Sequence, residues 1–426
     1  MNMSRRTLLS GALGVGALSI AGCSSGGSTS GSAGGSGSGK PSKIQFYQSG
    51  DANQGGGYAK MAAQYQQETG NQVEVVEIAY ADLPTKINNA AQANALPACA
   101  RMPAIDPVWL NRLVDLKSIA TTNKVKMGFA VQTTDGKVLS LPSDITAVGM
   151  FLNKTLWDKA GVKYPTSESD IWTWDQFVAA AKQVQAKGGA KYGLVVDRSS
   201  HREKSFVFEF GSNWWLPDAN GNYTTNAATK TALEYFKKLN DDVFMPKSVW
   251  LSNDDPNALF KSGQVAAYYS GSWQIADFAA NIKNFEWVSV YLPKQPVRSS
   301  NFGEAADMVV FSGTGQEQAA QDWFNWLYTP ANYQKLCEYS VMLPAIDGIS
   351  PNYTANKAAL TIYNQDIAAS PAIVGQVKQQ DFKNAISGKS VAGDPPRDET
   401  IKYLNGQQSV DQTIANIDKA LTDAFK

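Results

Sequence analysis

The sequence predicts an α/β layered fold. Two observations carry this reading: apolar runs with strand-like period alternate with amphipathic helical stretches, and past the first two dozen residues no stretch is apolar enough to cross a membrane. A third observation concerns the start of the chain, where a charged opening and a short apolar run precede a segment of small residues, the pattern of an exported protein.

Lys43-Ile44-Gln45-Phe46-Tyr47 alternates like a strand, and a helix is expected from Gly57 to Glu68 with Gly70 as its stop. Gln72 to Ile78, rich in Val, reads as the next strand, and Asp82 as the cap of a following helix that ends before Pro97. The middle repeats the pattern. Gly149-Met150-Phe151-Leu152 is a buried strand, and Thr173-Trp174-Asp175-Gln176 has capping-box spacing, opening a helix that ends near Gly188-Gly189. Tyr192–Val196, Val265–Tyr269, Trp287–Leu292 and Met308–Phe311 read as further strands, with a helix over Ala227–Leu239. The last third is mostly helical, and Ser409-Val410-Asp411-Gln412 is a second capping box at the start of a terminal helix.

Ser4-Arg5-Arg6 followed by the uncharged run Leu8 to Ala21 makes a secretory signal over residues 1–22. Its last residues with the next, Ile20-Ala21-Gly22-Cys23, match the bacterial lipobox, which makes Cys23 the lipidated first residue of the mature protein. The arginine pair leaves export by the general or the twin-arginine route open. Residues 24–39 contain only Ser, Gly, Thr and Ala. These sixteen residues reach roughly 20–25 Å, and the lipidated Cys23 with its flexible tether is expected over 23–42. The expected location is the outer face of the cytoplasmic membrane.

Loss of Arg5 and Arg6 leaves 36 basic against 38 acidic residues, so nothing electrostatic favours nucleic acid. The single histidine, His201, excludes a multi-His metal site, and no CxxC, HExxH, P-loop or GxSxG pattern occurs. No cofactor and no metal are expected. Cys99 and Cys337 either pair in an oxidising compartment or stay as buried thiols.

Several segments, in order, resemble the extracellular sugar-binding proteins of bacterial ABC importers, the solute-binding family that includes maltose-binding protein. The strongest is Gly136-Lys137-Val138-Leu139-Ser140-Leu141-Pro142-Ser143-Asp144 followed by Met150-Phe151-Leu152-Asn153-Lys154-Thr155-Leu156-Trp157. Thr173–Phe177, Phe260–Ala267 leading to Ser270-Gly271-Ser272-Trp273, Ala319–Phe324 and Leu343-Pro344-Ala345 continue it. One segment departs from the family pattern: Leu96-Pro97-Ala98-Cys99-Ala100-Arg101-Met102 stands where a short Pro-Asp-hydrophobic strand is usual.

The resemblance implies a two-lobed periplasmic-binding-protein fold of type II. Several crossing segments would join the lobes, with a ligand cleft between them. Lobe one is expected over 43–147 plus 297–345, and lobe two over 148–296 plus 346–426. It also implies a monomeric, non-catalytic receptor that delivers a short oligosaccharide to the permease subunits of an ABC transporter. The residues leave two other readings standing: a lipid-anchored glycoside hydrolase using a carboxylate pair, and the same fold holding a non-sugar solute.

A sugar ring offers C–H faces to aromatics and hydroxyls to polar side chains. The chain has 11 Trp, 17 Tyr and 17 Phe to supply such faces. Strand ends line the cleft in such folds, which nominates Tyr47, Gln48, Asp51, Tyr80, Asp106, Trp109, Asp144, His201 and one of Trp214 or Trp215, with Trp214 preferred. Trp273 is the foremost candidate, because the family often places an aromatic after such a segment. Phe302-Gly303-Glu304 stands at the second crossing and Arg397 in a late segment that returns to the cleft in several relatives. Trp157, Trp174, Trp323 and Trp326 read as core instead, and Asp144 alternatively braces a crossing strand.

Overall fold

The structure, a computed structural model, describes residues 42–353 and 356–426, and of Glu304 the backbone alone. The signal segment, Cys23 and the tether to residue 41 lie outside the described residues.

Twelve strands occur among the described residues: β1 (Lys43–Gln48), β2 (Gln72–Glu77), β3 (Cys99–Met102), β4 (Leu141–Pro142), β5 (Ile145–Asn153), β6 (Tyr192–Val196), β7 (Leu216–Pro217), β8 (Tyr223–Thr224), β9 (Val265–Gly271), β10 (Trp287–Val290), β11 (Phe302–Glu304) and β12 (Asp307–Val310). They build two main sheets, one for each lobe. The first runs β2-β1-β3-β12-β4, and the second β10-β5-β9-β6. In the first, β1 is parallel to both neighbours and β12 antiparallel to β3 and β4. In the second, β9 is parallel to β6 and antiparallel to β5. Strands β7 and β8 form a separate hairpin.

Local chemistry explains the elements. In β1 the alternation puts Ile44, Phe46 and Gln48 inside and leaves Lys43 and Gln45 exposed, because side chains on a strand alternate faces. All nine residues of β5 are buried, as its near-continuous apolar sequence requires for a strand covered on both faces. The helix Gly57–Thr69 buries Tyr58, Met61, Ala62 and Tyr65, one helical face, and stops at Gly70, whose φ of 78° suits glycine.

The Thr173 capping box is complete: its hydroxyl accepts from the Gln176 amide, and the Gln176 side chain accepts from the Thr173 amide. Ser409 makes only half of the expected box, because Gln412 turns its amide to Asn416 instead. Asp82 does not cap its helix through its side chain; Pro84 in the first turn presets the backbone there.

Trp157, Trp174 and Trp323 are fully buried, as expected of core residues, and Trp326 stacks on Trp323 at 5.6 Å while its Nε1 donates to Glu68. Cys99 and Cys337 are both free and buried. Among the described residues, no helix is long and apolar enough to cross a membrane.

Two segments carry the chain between the sheets. Strand β4 passes through Ser143-Asp144 into β5, and β11, paired to Ile145–Ala147 at the start of β5, leads into β12. The carboxyl end of β3 lies beside the start of β12, and the carboxyl end of β9 beside Val148 of β5. Both sheets therefore point strand ends at the same crossing region, where open α/β sheets bind their ligands.

Candidate functional site

On the first-sheet side, Gln48 ends β1, and Arg101 lies in β3 one position past the residues paired with β1, opposite Met308 of β12. Arg101 is buried. It donates to the Ser49 carbonyl at 3.2 Å and pairs with Asp144 at 3.3 Å, while Ser143 Oγ donates to the same Asp144 oxygen at 2.6 Å. The guanidinium also sits over the Tyr58 ring at 5.8 Å. Asp144 thus braces the first crossing, and removing either charge of this buried pair would cost about 3–5 kcal/mol. Two buried atoms here have no protein partner, Oε1 of Gln48 and Nε of Arg101. The Gln48 amide nitrogen and the Gly50 amide both donate to Glu77, whose carboxyl is raised by burial.

On the second-sheet side, Trp273 follows Ser270-Gly271-Ser272 at the end of β9. Ser272 is locked to Ala147 of β5 by its amide at 2.9 Å and its hydroxyl at 3.2 Å. The indole folds back so closely that a Cβ on Gly271 would meet its Cη2 and Cζ3 at 2.1 Å; only glycine lets the ring lie there. The Arg202 guanidinium covers the ring at 4.3 Å from its centroid. Arg202 Nε donates to Asp197 at 2.7 Å, and Asp197 also accepts from Ser270 Oγ at 2.9 Å and from the Tyr268 hydroxyl. Gln274 extends this network to Tyr268 and Ser270, at 3.4 Å each. Burial and the Asp197 charge raise the Tyr268 phenol well above its ordinary range, so it stays a donor.

The helix Gln274–Asn281 after Trp273 rests against the short turn Ala52–Gln54 after Asp51, so the two halves touch directly beside the cleft. His201 accepts from the Asn301 amide through Nδ1 at 3.0 Å. Burial, with the cations Arg202, Lys204 and Lys378 around it, holds its imidazole well below the usual range and neutral.

The nominated residues divide. Trp273, Gln48 and Asp144 lie at strand ends or crossings of this cleft, and His201, in the first turn of the helix Ser200–Glu209, reaches the second crossing through Asn301. Phe302 and Gly303 sit in the second crossing, where a Cβ on Gly303 would meet the Lys378 side chain at 3.0 Å; the Glu304 side chain lies outside the described residues.

Several expectations are corrected. Trp109 is 0% exposed, packs edge-on to Phe311 and donates Nε1 to Asn88 at 3.0 Å, which makes it core. Asp51 gives one oxygen to each of the Tyr58 and Ala59 amides and serves as a helix cap. Asp106 accepts from Asn88 and the Val108 amide and shapes its own loop. Trp214 is buried against Trp215 with Lys204 over its ring. Arg397 is engaged with Asp394 and Asp398 at a helix start. Tyr47 is half-buried under Lys86, whereas Tyr80 stands 68% exposed after β2, the edge strand.

Asp197, Arg202, Tyr268, Ser270 and Arg101 were not nominated from sequence. A signal existed for two of them: Asp197 follows a predicted strand directly, and Ser270 is in the motif before Trp273. Among the described residues, no group of three or more His, Cys, Asp or Glu side chains could hold a metal.

This geometry, two α/β lobes with aromatic and paired polar groups at the facing strand ends, defines a two-lobed solute-binding protein. The family model of bacterial extracellular solute-binding proteins matches residues 60–361, and the chain belongs to that family. A lactose-binding protein of Rhizobium radiobacter is 29% identical over 222 residues, 49% of this chain and 51% of that protein. The matched stretches thus span about half the length of such curated relatives.

The GacH receptor of Streptomyces glaucescens, solved unliganded and with acarbose, superimposes with a TM-score of 0.71 at 20% identity, over 91% of this chain and 100% of that one. An ABC substrate-binding protein of Listeria monocytogenes in complex with cycloalternan gives 0.73 at 19%, over 90% and 99%. At these identities the likeness is one of fold.

Proposed function

We propose that this chain is an exported lipoprotein that captures a short oligosaccharide in the cleft and hands it to the permease of an ABC importer. The observation that carries the reading is the Trp273 indole, held at a strand end by Gly271 and Arg202 beside the Asp197-Tyr268-Ser270 network. An aromatic face with ordered donors at its edge is what a saccharide needs. The names of relatives support the ligand class: one is a lactose-binding protein, and two structural neighbours were solved with acarbose and cycloalternan.

The anchor rests on Ile20-Ala21-Gly22-Cys23 and the Ser/Gly tether, which would keep a monomeric receptor near its permease and free to turn. Binding, rather than turnover, is the expected chemistry.

Calorimetric titration with lactose, maltotriose and arabinotriose tests the ligand class. Saturable binding of at least one supports it; no heat from any of them, in a sample with a cooperative thermal transition, contradicts it. Release of shortened sugar at catalytic rates would favour a hydrolase. Cys23→Ala should move the protein from the membrane fraction to the medium.

A further inference from the structure

We propose that Arg202 determines specificity in this cleft: it fixes the Trp273 indole and offers its two terminal nitrogens to adjacent hydroxyls of a neutral saccharide. The inference rests on the sugar-binding reading above and names the ligand chemistry more closely. Three observations carry it.

First, the guanidinium is held from two sides, with Nε on Asp197 at 2.7 Å and Cζ over the Trp273 ring at 4.3 Å from its centroid. Its position is set before any ligand arrives, so little side-chain freedom remains to be lost on binding. Second, its terminal nitrogens hydrogen-bond to no described residue, and 16% of the side chain is exposed. A rigid fork of two N–H donors stands open, matched in spacing to a pair of oxygens. Third, Asp197 neutralises it.

Both Asp197 oxygens are in use, one by Tyr268 and the other by Ser270 and Arg202. A ligand carboxylate placed on the fork would meet a neutral ion pair and lie close to a fixed negative charge, whereas two vicinal hydroxyls would meet donors only. The saccharide unit beside the indole is therefore neutral and carries an adjacent diol.

Arg202→Met and Arg202→Lys, with thermal melts as fold controls, test this by two readouts. The first needs no ligand. In protein labelled with 5-fluorotryptophan, the Trp273 fluorine resonance, identified by its loss in Trp273→Phe, should move in Arg202→Met. The second is calorimetry with whichever of lactose, maltotriose and arabinotriose binds best. Loss of hydrogen bonds from a charged group should raise Kd about ten- to a hundredfold in Arg202→Met, with only partial recovery in Arg202→Lys. A monodeoxy analogue lacking the contacted hydroxyl should bind the unaltered protein less well but lose nothing more in Arg202→Met.

An unmoved resonance, or a Kd within twofold of the unaltered protein, overturns the assignment. Tighter binding of the matching uronate overturns the neutral-ligand claim. If none of the three sugars binds the unaltered protein, the sugar reading itself fails, and the fluorine resonance still decides whether Arg202 holds Trp273.

Discussion

Trp273→Ala removes the proposed platform while leaving the polar network in place. The magnitude follows from the geometry. Arg202 covers the ring and Gly271 lies against its edge, so only part of the indole serves the ligand. Loss of an aromatic anchor costs about 1–3 kcal/mol. With part of the ring already covered, the middle of that range applies, about 2 kcal/mol, a rise in Kd of roughly thirtyfold at 1.4 kcal/mol per tenfold. Stability should change less. The ring is half-buried, and the lost cation–π contact is worth about 0.5–1 kcal/mol, a fall in melting temperature of a few degrees.

Titration calorimetry with the best-binding sugar is the assay, with Trp273→Phe expected between the two. Gly271→Ala offers a second route to the same loss, because its Cβ would collide with the indole at 2.1 Å. A Kd for Trp273→Ala within twofold of the unaltered protein, at unchanged fold, would refute the placement of this ring in the site.

Three further outcomes follow from the corrected positions and one buried acid. Trp109→Ala should cost about 3–5 kcal/mol in urea unfolding, the scale of an emptied aromatic core site, yet leave sugar affinity unchanged; a weakened Kd in folded protein would return Trp109 to the cleft. Asp51→Ala should lower stability by about 1 kcal/mol through the two lost amide contacts at the start of Gly57–Thr69, and an unaltered unfolding midpoint would contradict the cap.

Asp366 is buried beside Arg298, and burial, only partly offset by that arginine, pushes its pKa up to about 6 from 3.8. The native state then holds the proton more tightly than the unfolded chain. This contribution is complete below about pH 4 and lost as pH rises through about 6, a change of about 3 kcal/mol at 1.36 per unit. Asp366→Asn should lack that decline, so the stability difference between the two proteins should move by this amount between pH 4 and pH 7; parallel curves would refute it.

Much of the fold was legible because its signals are local. The period-two pattern of Lys43–Gln48, the buried run in Ile145–Asn153 and the Thr173 box each depend on neighbours a few residues apart. The two sheets and their crossings came from a resemblance spread over the chain, which the strand order then bore out. The site was legible only in part, because cleft membership depends on contacts between distant segments.

Trp109 sits after a strand in a loop sequence that reads as exposed, but Asn88 and Phe311 supply its hydrogen bond and ring contact from elsewhere in the chain. Asp51 stands where a ligand carboxylate would, and the unpaired amides of the following helix take it instead. Arg202 was passed over because nothing in its own sequence context shows that it reaches Trp273, 71 positions on.

A crystal structure of the protein with its best-binding oligosaccharide would decide whether Trp273 and Arg202 hold the ligand. A sugar ring should lie in van der Waals contact with the Trp273 indole, with a pair of its hydroxyls on the terminal nitrogens of Arg202. Sugar seated instead in the 640 Å³ groove lined by Phe129, Phe302 and Gln376, or any pose that leaves Trp273 untouched, would contradict it.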